Sequence, residues 1–499
     1  MLTLRLAAKN VGNMNMVRSL KGFVLVAMFV FCNFVSSQEN IDLPDFGDSA
    51  GAIISPAQER KLGEGFVRQM RKVMPLVLDE EIEDYIRGLG KNLSEDAGYY
   101  GDFQFFVVDS PVINAFAVPG GFVAFHTGLI LETEHEAELA SVMGHEIAHV
   151  TQRHGARMIE MGTRMNMPAI AAMFAAIALT AVNPEAGMAA LMATQAASQQ
   201  MQINFTRANE QEADSIGIRL MADAGYDTSK MSTFFDKMMR ANRYSDPSYI
   251  PEYLRSHPVT INRISAAFSR AKTVRPEIVR EDSYSYHLVK AKLKVRGAAD
   301  PAQAVRAFES ILKHRRYVYE EVAHYGYALA LTEAGNFRKA RAEIENLMRQ
   351  FPTVVSYRIA AGALEKRARD YPRSAATFKS AYELEPENRA AVYGYVDALN
   401  TLGRAEHAKN ILSEYGLSDR RDPRYFKLLA QAEHLLGQKI KEHSALAEYY
   451  LSVGQFPHAA EQLRLARRTK GLSNYQRQKL LYRLDEVEEI ILDLENPRR

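Results

Sequence analysis

Apolar positions change their period several times along the chain, and each change marks an element. Gly22 to Ser37 (GFVLVAMFVFCNFVSS) is an unbroken uncharged run behind Arg5, Lys9, Arg18 and Lys21, with no acidic residue ahead of it. Its apolar core has the length of a signal-peptide core, is short for a membrane span, and ends on the small residues Ser36 and Ser37. Residues 1–37 therefore read as an export signal and 38–54 as a polar linker, with an uncleaved anchor as the alternative. From Ser55, SPAQERKLGEGFVRQM predicts a helix with Ser55 as N-cap and Pro56 at its first position. A second helix is predicted near 80–93, ending around Gly90. Residues 103–108 (FQFFVV) and 114–125 (NAFAVPGGFVAF) are rich in β-formers and separated by turn residues, which predicts two or three strands of a small sheet. Residues 132–160 lack Pro and keep Leu139, Val142, Met143, Ile147 and Val150 at helical spacing, so one long helix is expected there.

The Ala/Met-rich tract 168–197 is interrupted at Asn183, Pro184 and Glu185, leaving two arms that are each too short to span a bilayer. Two helices packed on the domain and a hairpin entering a membrane both fit this pattern, and peripheral membrane association stays open. A further helix is expected over 204–224. Beyond residue 299 the chain turns to helix formers, and a period of 34 relates Gly335, Arg369, Gly403 and Gly437, as it does Phe337, Tyr371 and Ala405, and Pro352 and Pro386. That is the tetratricopeptide period, with Asp300-Pro301 opening a degenerate first repeat and Gly454 falling out of phase near the end. About five to six helix pairs should stack into a solenoid whose concave face binds protein or peptide.

Composition narrows the chemistry. With 499 residues, 47% hydrophobic and 24% charged, the chain is neither collagenous nor wholly disordered. The net charge is +2, but the leader alone carries +4 and leaves −2 over residues 22–499, which gives no electrostatic footprint for nucleic acid. Cys32 is the only cysteine, so a metal must be held by His, Asp or Glu.

His145-Glu146-Ile147-Ala148-His149 supplies such residues inside a predicted helix with apolar flanks. Residues i and i+4 share a helix face, so both imidazoles project together, and Glu146 beside them can take a proton from a water held there. Left unpaired in a buried helix, these groups would be costly. The pentapeptide reads as a site for one Zn²⁺ per chain, with His145 and His149 as ligands and Glu146 as general base. A metzincin third ligand is excluded, because Gln152 and Gly155 stand where Gly and His are required. His154, five residues past His149, is expected to face elsewhere. Glu210 and Asp214 share a face of the next helix, offering a third ligand and a carboxylate to orient an imidazole, while Glu212 between them is expected to be solvated. Spacing favours Glu210 over Glu212. His126 and His135 have no partner at i+4 and read as surface or core histidines. His257 in SHPVTINR is a loop histidine, an oxyanion donor or a fourth ligand that would keep the enzyme latent.

HEIAH, the E-x-x-x-D of NEQEAD, the preceding NAFAVPGG and the later Ser256-His257-Pro258 together resemble the gluzincin metallopeptidases of the HtpX and CAAX-prenyl-protease type, in the exported form that carries tetratricopeptide repeats. The resemblance spans residues from about 55 to 490. It implies that His145, His149 and Glu210 ligate zinc, Glu146 is the base and Asp214 supports an imidazole. It also implies that Asn114, Ala115, Phe116 and Ala117 form an edge strand on which extended substrate lies, although Gly120-Gly121 are equally read as a plain turn. The expected fold is α+β and mostly α: a helical zinc metallopeptidase domain with a small sheet over 55–290, then an all-α tetratricopeptide solenoid over 299–495. The expected activity is a periplasmic endopeptidase, with a chaperone-like part in outer-membrane protein assembly and quality control. Its implied partners are unfolded or misassembled outer-membrane proteins and the β-barrel assembly machinery. Two other classes stay open on the residues alone, a chaperone or scaffold with a structural or closed metal site and a membrane-inserted protease.

Overall fold

The computed structural model describes residues 54–99, 101–158, 160, 206–244, 253–254, 257–416 and 422–495. The expected export signal and the Ala/Met-rich tract lie outside the described residues. No helix among the described residues is long and apolar enough to cross a membrane.

Helix α1 (Pro56–Val73) starts at a reciprocal cap: Ser55 Oγ accepts from the Gln58 N–H at 3.3 Å, and Gln58 Oε1 accepts from the Ser55 N–H at 2.8 Å. Helix α2 (Glu80–Ser94), capped by Asp79, runs through Gly90 instead of ending there. Gly90 is a contact point rather than a stop, since a Cβ would fall 2.2 Å from the Phe105 ring. Strands β1 (Gln104–Val108), β2 (Ala115–Val118) and β3 (Phe122–His126) form a sheet of order β1-β3-β2, with β1 parallel and β2 antiparallel to β3. Gly120 and Gly121 make the β2–β3 turn at φ 89° and 88°, a region closed to most side chains, and β2 is left at the sheet edge.

The long helix expected over 132–160 is broken twice. Helix α3 (Thr127–Glu132) and helix α4 (Glu136–Thr151) are separated by extended backbone at Thr133 and His135. The chain turns again at Gln152 and Arg153 before residues 154–158 resume helix. Arg153 has φ 53°, held by bonds from its guanidinium to Glu59 Oε1 and the Ile54 carbonyl, each at 2.6 Å. Left-handed backbone costs a non-glycine residue about 1–2 kcal/mol. Tertiary bonds, not a local breaker, therefore end α4.

Every residue of α4 is buried except His149 and Thr151, which makes it the central helix of the domain. Helix α5, over 206–223, packs on it most closely at Gly144 and Gly217, where a Cβ on Gly217 would lie 3.0 Å from the His145 nitrogen. Helices α6 (Ser229–Tyr244), α7 (Ile261–Thr273) and α8 (Tyr284–Arg296) complete this part. Ile86, Phe125, Met143, Ile218, Phe234 and Tyr286 join these elements in one apolar core.

The repeat region runs α9 (Pro301–Lys313), α10 (Glu320–Glu333), α11 (Phe337–Gln350), α12 (Val355–Arg367), α13 (Tyr371–Leu384), α14 (Arg389–Thr401), α15 (Ala405–Tyr415), α16 (Pro423–Leu435), α17 (Lys439–Ser452), α18 (Phe456–Arg468) and α19 (Asn474–Glu495). Gly335, Arg369, Gly403 and Gly437 take the left-handed turn inside successive pairs, with φ of 74°, 62°, 72° and 68°. Gly454, at φ 74°, places the same tight turn between α17 and α18, which is why the period slips there. The solenoid is anchored on α2, where Arg389 of α14 meets Glu83 at 2.6 Å and Asp84 at 3.1 Å, and also Asp422 at 3.2 Å.

Candidate metal centre

The Nε2 atoms of His145 and His149 lie 3.0 Å apart on one face of α4. The close Gly144–Gly217 approach brings α5 near enough for Glu210 to place Oε2 at 3.4 Å from His145 Nε2 and Oε1 at 3.3 Å from His149 Nε2. The His257 N–H closes a turn onto the Tyr253 carbonyl at 2.8 Å, which turns its ring inward. Its Nδ1 then stands 3.0 Å from Glu210 Oε1 and 3.2 Å from His145 Nε2. His257 is thus buried, not a surface loop residue.

One donor atom from each of His145, His149, Glu210 and His257 lies within 4.8 Å of every other. Tetrahedral zinc with bonds of about 2.0–2.1 Å to nitrogen sets its ligand atoms roughly 3.3 Å apart, so the four fit a single ion. Donor chemistry agrees. Asp214 Oδ1, which can only accept, lies 2.9 Å from His145 Nδ1, so the proton sits on Nδ1 and Nε2 turns toward His149. Two imidazole lone pairs at that separation repel unless a proton or a metal ion lies between them. Burial opposes the imidazolium of His145, but Glu210 and Asp214 outweigh it and push the pKa up to about 9. At His149 burial dominates, and the pKa falls to about 3. Glu210 is buried too, yet three imidazoles hold it far below the carboxylate range.

Glu146 is buried, and its Oε1 makes no hydrogen bond; His257 Nε2 stands 3.5 Å away. Glu146 and His149 open onto a cavity of about 270 Å³ bordered by Phe116, Ala117 and Val118 of β2. Ala115, Phe116 and Ala117 belong to this edge strand, while Asn114 precedes it and accepts the His126 N–H at 3.0 Å. A larger cavity of about 800 Å³ lies at the α2–solenoid junction and contains none of these groups, so chemistry rather than volume marks the site. His126 is buried and His135 is half-exposed beside Asp282, both apart from the cluster.

Three participants escape a reading of the sequence. Arg263, buried in α7, grips Asp214 with two bonds of 2.8 Å, reaches Glu210 Oε2 at 2.8 Å and donates to the Pro258 carbonyl at 3.0 Å. Two carboxylates on one buried helix face demanded a cation, but nothing in the sequence says which arginine folds onto them. His154 does not face elsewhere: the turn at Arg153 swings its Nδ1 to 2.8 Å from His149 Nδ1. Nor is Glu212 merely solvated, since it meets His154 Nε2 at 3.1 Å and Arg157 at 3.2 Å, and these partners lower its pKa to about 2.

A helix bearing both imidazoles, a second bearing the carboxylates and an attached repeat solenoid define a metallopeptidase with a protein-binding arm. Consistent with this, the model of Peptidase family M48 matches residues 79–271 and a tetratricopeptide-repeat model matches residues 367–432. The Beta-barrel assembly-enhancing protease of Escherichia coli (strain K12) is 34% identical over 449 residues, 90% of this chain and 91% of that protein. The Yersinia pestis protein of the same name is 34% identical over 419 residues, 84% and 85% of the two chains. Human mitochondrial Metalloendopeptidase OMA1 is 32% identical over 161 residues, 32% of this chain and 30% of that one. The chain belongs to peptidase family M48, in the group of the beta-barrel assembly-enhancing proteases, and is a metalloendopeptidase.

Proposed function

We propose that this protein is a zinc endopeptidase of the Gram-negative periplasm that acts on unassembled or misassembled outer-membrane β-barrel proteins, delivered by the export signal at residues 1–37. The observation that carries the reading is the convergence of donor atoms from His145, His149, Glu210 and His257 within 4.8 Å of one another, beside a buried Glu146 oxygen with no hydrogen bond. Zinc held by His145, His149 and Glu210 would supply Lewis acidity to a water and to the scissile carbonyl. Glu146 takes the water's proton and hands it to the leaving amine. Asp214, braced by Arg263, holds His145 with Nε2 turned inward. Substrate adds to β2, the edge strand among the described residues, through backbone hydrogen bonds, so cleavage reads shape more than sequence. Residues 55–290 form the catalytic domain and 299–495 the repeat domain that engages clients and the barrel-assembly machinery.

His257 would supply a fourth donor beside His145, His149 and Glu210, and with all four engaged the resting enzyme would be closed to water and substrate. This arrangement also accommodates a chaperone-like role at rest. The test is zinc content and cleavage of an unfolded β-barrel protein by the mature chain. Glu146→Gln should keep its zinc and lose about 10²–10⁴-fold in rate, the usual contribution of a general base. His257→Ala should keep zinc and cleave faster than wild type; a fall of about 10²-fold would instead make His257 an oxyanion donor. Absence of metal from the wild type would refute the reading.

A further inference from the structure

We propose that His154 is a positioning residue for His149, fixed in turn by Glu212, so that a His149–His154–Glu212 relay keeps His149 in the tautomer that can bind metal. The inference rests on the zinc reading above and concerns two residues outside the four-donor cluster, His154 and Glu212. The two Nδ1 atoms stand 2.8 Å apart, a distance that requires one proton between them. Glu212 Oε2, 3.1 Å from His154 Nε2, can only accept, so His154 carries its hydrogen on Nε2. Neutral His154 then offers a lone pair at Nδ1 and accepts from the His149 Nδ1–H. His149 Nε2 is left with the lone pair that faces Glu210 and His145. With the proton order reversed, His149 Nε2 would carry hydrogen and could not ligate.

The surroundings hold this order. His154 is 3% exposed, so little solvent competes for its two ring nitrogens. Arg157 donates to Glu212 at 3.2 Å and to the Gln152 carbonyl at 2.7 Å, tying the carboxylate to the turn that aims His154. The turn itself is set from α1, through the Glu59–Arg153 pair. Each imidazole of α4 is therefore braced on its second nitrogen by a carboxylate that an arginine holds: Asp214 and Arg263 act on His145 directly, Glu212 and Arg157 on His149 through His154.

The experiment uses the full mature chain and measures zinc affinity by chelator competition, the visible spectrum with cobalt(II) in place of zinc, and folding by circular dichroism. His154→Leu removes the acceptor at similar volume and should weaken zinc binding by about 10–100-fold, the usual effect of losing a group that orients a ligand, and alter the cobalt spectrum. His154→Asn, whose Oδ1 can stand where Nδ1 stood, should recover most of the affinity. A folded Leu variant with wild-type affinity and spectrum would overturn the relay, as would equal losses in the Leu and Asn variants, which indicate packing alone. Should the Leu variant not fold, Glu212→Leu, at a side chain 32% exposed, removes the acceptor for His154 Nε2–H and decides: a several-fold loss of affinity supports the relay, and an unchanged affinity and spectrum refutes it. A wild-type protein that takes up no metal would sink the zinc reading and this one together, and is told apart by the wild-type measurement itself.

Discussion

At the candidate metal centre, three imidazoles and one carboxylate from α4, α5 and the His257 turn converge on one point; at the α2–α14 junction, carboxylates converge on a guanidinium already in place. Burial and charge are balanced differently at the two sites. Glu210, Asp214 and Glu212 are all held below the ordinary range, because each meets imidazoles or an arginine that outweigh burial. Glu80 and Glu83 are raised, because burial outweighs the attraction of Arg424 and Arg389. A buried ion pair contributes little net stability once desolvation is counted, while breaking one is costly. The junction is thus a self-satisfied lock, whereas the cluster on α4 brings three imidazoles and a carboxylate to one point where a metal ion could be held.

The sharpest way to break that contrast is to remove one acid from each half of the NEQEAD helix. Glu210→Ala should leave the protein without zinc, whereas Glu212→Ala should retain about one ion per chain at saturating zinc while binding it more weakly. Metal analysis after gel filtration reads both outcomes, and an empty Glu212→Ala protein beside a loaded Glu210→Ala protein would reverse the assignment.

Arg389→Ala probes the other side. It strands the buried Asp422, where loss of one partner costs about 3–5 kcal/mol, and leaves the partly exposed Glu83 without its 2.6 Å contact, a smaller loss. Hydrogen exchange of α2 amides should accelerate, while zinc content and short-peptide cleavage stay at wild-type levels. Unchanged exchange across residues 80–94 would show that the junction is held by something other than this arginine.

What was legible in the sequence follows the same division. Local signals read well: Ser55 announced its cap, HEIAH its paired imidazoles, and the spacing of Gly335, Gly403 and Gly437 the left-handed turns of the repeats. Arg369 occupies the same conformation without being glycine, so periodicity found a turn that residue type would have missed. Long-range determinants did not read. The end of α4 depends on Arg153 bonding Glu59, 94 residues earlier, and the brace on Asp214 comes from Arg263, 49 residues later. Arg389 finds Glu83 across 306 positions. Helical spacing predicts which side chains share a face, not where a tertiary bond will bend the helix, and that bend is what turned His154 toward His149.

The smallest effect tests the opposite shifts of Glu80 and Glu212. Glu80, at the N-terminus of α2 beside Arg424, has its pKa raised to about 7, burial being the larger influence and Arg424 partly offsetting it. In the unfolded chain it titrates near the ordinary value of about 4.3. Between those values the folded protein binds the extra proton, so stability from this group falls as pH rises from about 4.3 to about 7 and is level on either side. For Glu212, lowered to about 2, the sign is reversed: its contribution is full above the ordinary value and is lost as pH falls toward about 2. Glu80→Gln should therefore flatten the decline between pH 4.5 and 7 in denaturant midpoint and in α2 exchange, leaving the acid limb below pH 4 as in wild type. A parallel curve for the variant across the upper window would mean that Glu80 ionises freely at the junction, and that the two clusters do not differ in the way their geometry requires.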